Sequence, residues 1–213
     1  MTYRVALVKV LPADFVEDFL DGRLYLNTCT YFSQLDRTDV VRADPHDGVL
    51  EARQVIEVAI QDNDGNWIPI GGIQNPVIFR NDELLKLNIL CFYTLTDRQH
   101  DHFDERIRDF GDTAIFISNL PEFVRRVREA AAMSKWAIAH GPVQYVDPLV
   151  HDGPMGPFRK FQSYTYQNEF RFVFTTGKRE PCRLNMGSLR DITYVTSSSE
   201  IARIWAAMRG TNA

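Results

Sequence analysis

The chain has 213 residues, 45% of them hydrophobic and 12% aromatic, enough for a substantial core, and no Gly-, Ser- or Pro-rich linker divides it. Its formal charge of −4, from 24 Lys and Arg against 28 Asp and Glu, argues against a general nucleic-acid coat, which needs a basic surplus. Cys29, Cys91 and Cys182 are widely spaced and fit no metal pattern, nothing at the N-terminus resembles a signal peptide, and no apolar run reaches the roughly 20 residues of a bilayer span. The expectation is one cytoplasmic domain over residues 1–213 with no membrane partner.

In chain order, residues 3–10 (YRVALVKV) are apolar on both faces and predict a well-covered strand. Pro12 opens a short helix, ADFVEDFLDG, with Phe15, Phe19 and Leu20 as its stripe and Gly22 as its stop. RLYLNT follows as a strand. Thr30 to Val49 is polar and turn-rich, long enough to suggest a functional connection. Val49 to Gln61, the turn DNDG and NWIPI predict a hairpin, with another short strand near PVIFR. KLNILCFYTLT is nearly continuous in apolar residues and predicts a central strand; the charged stretch 97–111 after it is a surface segment with helical character. TAIFIS is a strand, and residues 120–137 form the best helix, with Phe123, Val124 and Val127 on one side and arginines on the other. A strand at GPVQYVDP, a Gly/Pro-rich loop, the long aromatic strand region 158–176, CRLNMG, DITYVT and a helix from Ser198 to Met208 complete the chain. Helices do not alternate regularly with strands, which predicts an α+β fold with a mainly antiparallel sheet and a few flanking helices.

The chemistry concentrates in YQNEFRFVF. Strict alternation from Gln167 to Phe174 puts Phe170, Phe172 and Phe174 on one face and Gln167, Glu169 and Arg171 on the other, about 7 Å apart along the strand. A carboxylate on a rigid strand can stabilise a developing cation while the amide before it orients a substrate. The competing expectation is a plain Glu169–Arg171 ion pair. Arg4 shares a face with Ala6, Val8 and Val10, so it either snorkels to solvent or reaches an anion. The sequence Asp44-Pro45-His46-Asp47-Gly48 has the chemistry of a tight turn, or it belongs to a substrate loop in which Tyr31 and Phe32 stack on a ring and Arg42 meets phosphate. Lys160 and Tyr164, four apart, either flank a pocket or cover the edge of the strand. His100-Asp101-His102 lacks a third ligand nearby and predicts a solvated face, hence no metal site. GxSxG, Walker A, GxGxxG, HExxH and CxxC motifs are absent from the sequence.

Two resemblances organise these segments. The order FLDGRLYLNTCTYFSQLD, LCFYTLTD, FGDTAIFI, VQYVDP and FRKFQSYTYQNEFRFVF resembles the uncharacterised bacterial family domain of unknown function 2971, with Tyr93 where that family has Ser and Gln167 where it usually has Glu. The order YR, FVEDFLDG, RLYL and YQNEF also resembles ADP-ribosyltransferases of the [QE]-x-E type. That likeness implies a strongly curved or split sheet and NAD as substrate, with a protein or nucleic-acid acceptor. It implies Glu169 and Gln167 as catalytic residues and Arg4, Tyr25, Tyr31, Arg42, Lys160 and Arg171 as NAD contacts, in a toxin, defence or phage-conflict effector. The alternatives are a non-catalytic nucleotide- or protein-binding domain and a metal-dependent nuclease that would recruit Asp44, His46 or Asp47 beside Glu169.

Overall fold

The structure, a computed structural model, describes residues 5–35, 43–96 and 103–210. Arg4, Arg42 and the pair His100 and His102 lie outside the described residues.

The elements run β1 (Val5–Leu11), α1 (Val16–Leu20), β2 (Arg23–Thr28), α2 (Cys29–Gln34), β3 (Val49–Arg53), β4 (Val58–Gln61), β5 (Trp67–Ile70), β6 (Val77–Arg80), α3 (Asp82–Leu85), β7 (Leu87–Thr96), β8 (Thr113–Ile117) and α4 (Leu120–Met133). They continue through β9 (Ala137–Pro142), β10 (Gln144–Val146), β11 (Gly153–Pro154), β12 (Arg159–Phe161), β13 (Glu169–Thr175), β14 (Cys182–Asn185), β15 (Thr193–Ser197) and α5 (Ile201–Gly210). Mainly antiparallel sheets combine with helices, and no barrel closes among the described residues. The largest sheet runs β14-β2-β7-β1-β8-β15, with β13 on β7 and β9 on β13. No described helix is long and apolar enough to cross a membrane.

Register decides which side chains share a face, because directly opposed residues of antiparallel strands project the same way. Phe172 lies opposite Leu90 and Phe170 opposite Phe92, so the phenylalanines of β13 join the apolar side of β7. Helix α4 closes that side. Phe92, Phe123 and Phe172 meet edge to face with ring centroids 5.3 to 5.9 Å apart. Phe19 and Leu20 of α1 join the same core. On the opposite face Glu169 lies opposite Tyr93 and Arg171 opposite Cys91, while Val8 lies opposite Tyr93 on the other edge of β7. Asn27 opposes Ile89 and Arg183 opposes Tyr25, so β2 and β14 extend this second face. Trp205 and Ile201 of α5 bury its far part, over Val8, Val10 and Phe116.

Strand β7 is central, as its composition predicts, and its pairing is divided. Along one edge β2 pairs at Asn88 and Ile89, and β1 pairs from Tyr93 to Thr96, so neither register reaches Leu90 to Phe92. At this opening the Lys9 ammonium donates to the Cys91 carbonyl at 2.9 Å.

Several expectations are corrected. The predicted hairpin strand from Val49 to Gln61 is two strands: Val49–Arg53 pairs with β6 and β11, and only Val58–Gln61 forms the hairpin with β5. The connection after β2 begins with a helix, α2, whose start is capped by the Thr28 hydroxyl accepting from the Tyr31 N–H. The helix expected over 120–137 ends at Met133, past which Lys135 has φ 59°, and the freed chain enters β9. The strand expected to hold Gln167 starts at Glu169: residues 162–167 are a 3-10 helix, and Asn168 turns the chain at φ 35°.

Candidate functional site

The site forms where three separate segments meet on the second face of the sheet. Strand β13 supplies Glu169 and Arg171, β12 supplies Lys160, and the turn before β3 supplies Asp44 and Asp47. That turn is built as its sequence predicts: the Asp44 carboxylate accepts from the His46 N–H, the Asp44 carbonyl accepts from the Asp47 N–H, both at 2.9 Å, and Gly48 takes φ 71°. Its two carboxylates point inward and are 1% and 4% exposed.

Arg171 is among the largest fully buried side chains. Its Nη1 and Nη2 donate to the two oxygens of Asp47 at 2.9 and 2.8 Å. Nε donates to Glu169 Oε1, Nη1 also donates to the Pro157 carbonyl at 2.9 Å, and Nη2 reaches Glu169 Oε2 at 3.4 Å. These contacts match the five donors of a guanidinium. Arg171 thus holds Glu169 in place rather than presenting a donor to a ligand.

Lys160 is 6% exposed. Its ammonium donates to Gln167 Oε1 at 2.7 Å and lies 3.1 Å from Glu169 Oε2 and 3.4 Å from Asp44 Oδ2, with the Tyr164 ring 5.2 Å away. The left-handed turn at Asn168 makes this possible. It ends the 3-10 helix, gives its carbonyl to the Thr94 N–H at 2.8 Å, and directs the Gln167 amide back toward Lys160. The Tyr145 hydroxyl accepts from the Glu169 N–H at 2.9 Å.

Burial alone would raise the Glu169 pKa, but the opposing charges of Arg171 and Lys160 and the hydrogen bond from the Cys91 thiol outweigh it and hold the carboxyl well below the usual range. Asp44 goes the other way. Burial dominates, Lys160 is shared with Glu169, and Oδ2 of Asp44 has no hydrogen-bond partner among the described residues, so its pKa is raised. Lys160 is held charged: burial opposes this most strongly, and the carboxylates of Glu169, Asp47 and Asp44 together outweigh it. The Cys91 thiol is pushed up by burial first and by Glu169 second, which makes it a donor here and a poor nucleophile.

This cluster floors a cavity of about 650 Å³, into which Asp47, Cys91, Lys160, Gln167, Glu169 and Arg171 all project. Its walls carry Tyr25 and Asn27 of β2, Arg23 and Arg183, Lys9, and Tyr31 and Phe32 of α2. Phe15, Tyr25 and Tyr31, which are 59%, 55% and 41% exposed, give it an aromatic mouth. Arg23 stands there against Asp18 and Asp21, at 2.7 and 3.0 Å, and Arg183 against Asp18, at 3.6 Å. Buried charge therefore sits under an open, aromatic entrance that carries two arginines and their carboxylate partners.

Comparison with protein-family models, with curated proteins and with solved structures finds no match to this chain.

The cavity brings together Tyr25, Tyr31, Lys160, Gln167, Glu169 and Arg171 of the residues expected from sequence. The ion pair expected as the competing possibility is also present, buried rather than on the surface, and it stands beside a cavity. The nuclease alternative would need ligands around a metal, and among the described residues no group of three or more His, Cys, Asp or Glu is placed to hold one. His46 instead packs its ring on Phe161 at 4.8 Å. Sequence reasoning missed Tyr145 and Cys91 as partners of Glu169. Cys91 has a recoverable signal, since it shares a strand face with Tyr93; Tyr145 has none, because only the fold brings it to β13.

Proposed function

We propose that the cavity is a nucleotide site and that the protein cleaves the nicotinamide–ribose bond of NAD, passing ADP-ribose to water or to an acceptor. The observation that carries this reading is the Glu169 carboxylate, held between Arg171 and Lys160 on the lining of a cavity whose mouth bears exposed aromatic rings and two arginines. Breaking that bond develops positive charge on the ribose, and a carboxylate fixed before the reaction stabilises it without reorganisation. Gln167, held by Lys160, lies beside Glu169 to orient a hydroxyl or amide of the substrate. Tyr25 and Tyr31 offer faces for planar rings, and Arg23 and Arg183 offer guanidinium groups to the diphosphate in place of Asp18. The opening between β1 and β2 beside the cavity supports the split-sheet, ADP-ribosyltransferase-like architecture that the resemblance implies.

The test is nicotinamide release by the purified protein, with and without cell lysate as a source of acceptor. Glu169→Gln is expected to lower release by about 100-fold or more. Tyr25→Ala removes an exposed ring and is expected to raise KM while leaving the melting temperature unchanged. No release by the native protein, together with an unchanged melting temperature in excess NAD, rejects the proposal.

One observation favours a second reading, a nucleotide-binding site without turnover: Glu169 is neutralised by both Arg171 and Lys160. A rise in melting temperature with NAD or ADP-ribose but no nicotinamide release selects it.

A further inference from the structure

Strands β4 and β5, none of whose residues lines the cavity, form a two-stranded sheet with which no other described strand pairs. An isolated hairpin is marginally stable in water, and this one is apolar on both faces. Val58 opposes Ile70 and Ile60 opposes Ile68 on one face; Ala59 opposes Pro69 and Gln61 opposes Trp67 on the other. Ile60, Trp67, Ile68 and Ile70 are 42% to 68% exposed, and Ile56 just before the hairpin is fully exposed. The hairpin is nonetheless fixed at both ends. Asp62 caps its turn through the N–H groups of Asp64 and Asn66, and the Asn75 side chain bonds both the N–H and the carbonyl of Val55 at its base.

The two edges of this hairpin differ. The Asp62 N–H donates to the Asn66 carbonyl at 2.9 Å, so residues 62 and 66 are a hydrogen-bonded pair. Antiparallel pairs alternate, which makes 60 with 68 and 58 with 70 hydrogen-bonded and leaves Ala59 with Pro69 non-bonded. The backbone of Pro69 therefore faces outward without a donor, which blunts the β5 edge. On the β4 edge, Ala59 and Gln61 direct their N–H and carbonyl groups outward. Between residues 54 and 79 the chain carries Glu57, Asp62 and Asp64 and no Lys, Arg or His.

We propose that the β4 edge is a docking site for an extended, basic and β-branched segment of another protein, which adds to it as a third strand. The main chain of Ala59 and Gln61 supplies the ladder, and Lys or Arg of the partner meets the carboxylates that flank the edge. Charge argues against a second copy in this role. A two-fold pairing about Ala59 would join two segments that each carry Glu57, Asp62 and Asp64 and no basic residue, so neither copy would supply a cation to meet the other's carboxylates.

The test uses the full chain and a labelled synthetic peptide of about ten residues alternating Lys and Val, long enough to span the edge, with a Glu–Val peptide as its counterpart. Fluorescence anisotropy is expected to show saturable binding of the Lys–Val peptide that weakens between about 50 mM and about 500 mM salt. Ala59→Pro removes one outward donor without touching the β4–β5 ladder and is expected to weaken binding by about tenfold. Glu57→Lys, a change at an exposed position, is expected to shift preference toward the Glu–Val peptide. Absence of Lys–Val binding, equal binding of both peptides, or indifference to both substitutions overturns the proposal. A dimer in light scattering that Ala59→Pro dissolves also overturns it, by assigning the edge to a second copy.

Discussion

Arg171 and Asp47, 124 residues apart in the chain, meet as buried side chains through two parallel hydrogen bonds of 2.9 and 2.8 Å. The same guanidinium holds Glu169, so one pair ties the turn before β3 to the strand that carries the candidate catalytic carboxylate. Removing one member of a buried pair strands the other charge, which costs about 3–5 kcal/mol. Asp47→Ala is expected to lower unfolding stability by that amount in urea titration. The double variant Asp47→Leu with Arg171→Met is expected to be closer to the native protein than the single one, since it leaves no stranded charge. A double variant that loses more than the single variant refutes this account.

Stability and pH are linked through two carboxyl groups whose pKa values shift in opposite directions. Glu169 has its folded-state pKa below its ordinary value of 4.5, so its contribution is present above that value and is lost as pH falls through the lowered one. Asp44 has its folded-state pKa above its ordinary value of 3.8, so its contribution is present below 3.8 and is lost as pH rises through the raised one. Urea midpoints measured from about pH 3 to about pH 7 check both signs. The stability of the native protein relative to Glu169→Gln is expected to grow with pH, and relative to Asp44→Asn to shrink. Parallel curves for the two variants would contradict the assignment.

Gly22 sets the turn between α1 and β2, and so the placement of Arg23 and Tyr25 on the cavity wall. It has φ 74°, and a Cβ added there would lie 1.8 Å from the Gly187 carbonyl oxygen. Gly22→Ala therefore combines a left-handed backbone with a backbone clash, and a loss of about 2 kcal/mol or more is expected in thermal or urea unfolding. Gly65→Ala is the control: its φ is also positive, but the nearest atom to the added Cβ is the end of the Gln61 side chain at 3.7 Å, so a smaller loss is expected.

Much of the strand content is legible in the sequence because side chains alternate with a period of two. RLYLNT forms β2 over its full length, TAIFI forms β8, and KLNILCFYTLT forms the central β7. The alternation of β13 correctly separates Phe170, Phe172 and Phe174 from Glu169 and Arg171. It misleads at Gln167, because the pattern continues through Asn168 while the backbone there is left-handed, an option open to Asn that leaves no mark on hydropathy. Helix α2 is illegible for a related reason: with six residues and only Cys29 fully buried, it shows no apolar stripe.

What the sequence by itself determined is local: where strands and the larger helices run, that the Asp44–Gly48 turn forms, and which face of β13 is apolar. These follow from backbone preferences and side-chain periodicity within a few residues. The tertiary structure decided which charges meet. Asp47 on the turn before β3 reaches Arg171, Lys160 of β12 joins Gln167 to Glu169, and Tyr25 and Tyr31 line the same cavity, a meeting of segments that no one of them encodes. Hydrogen-bonded register is set by chain closure between residues as distant as Thr28 and Asn88 or Thr175 and Leu87, and no periodicity within a segment encodes its partner.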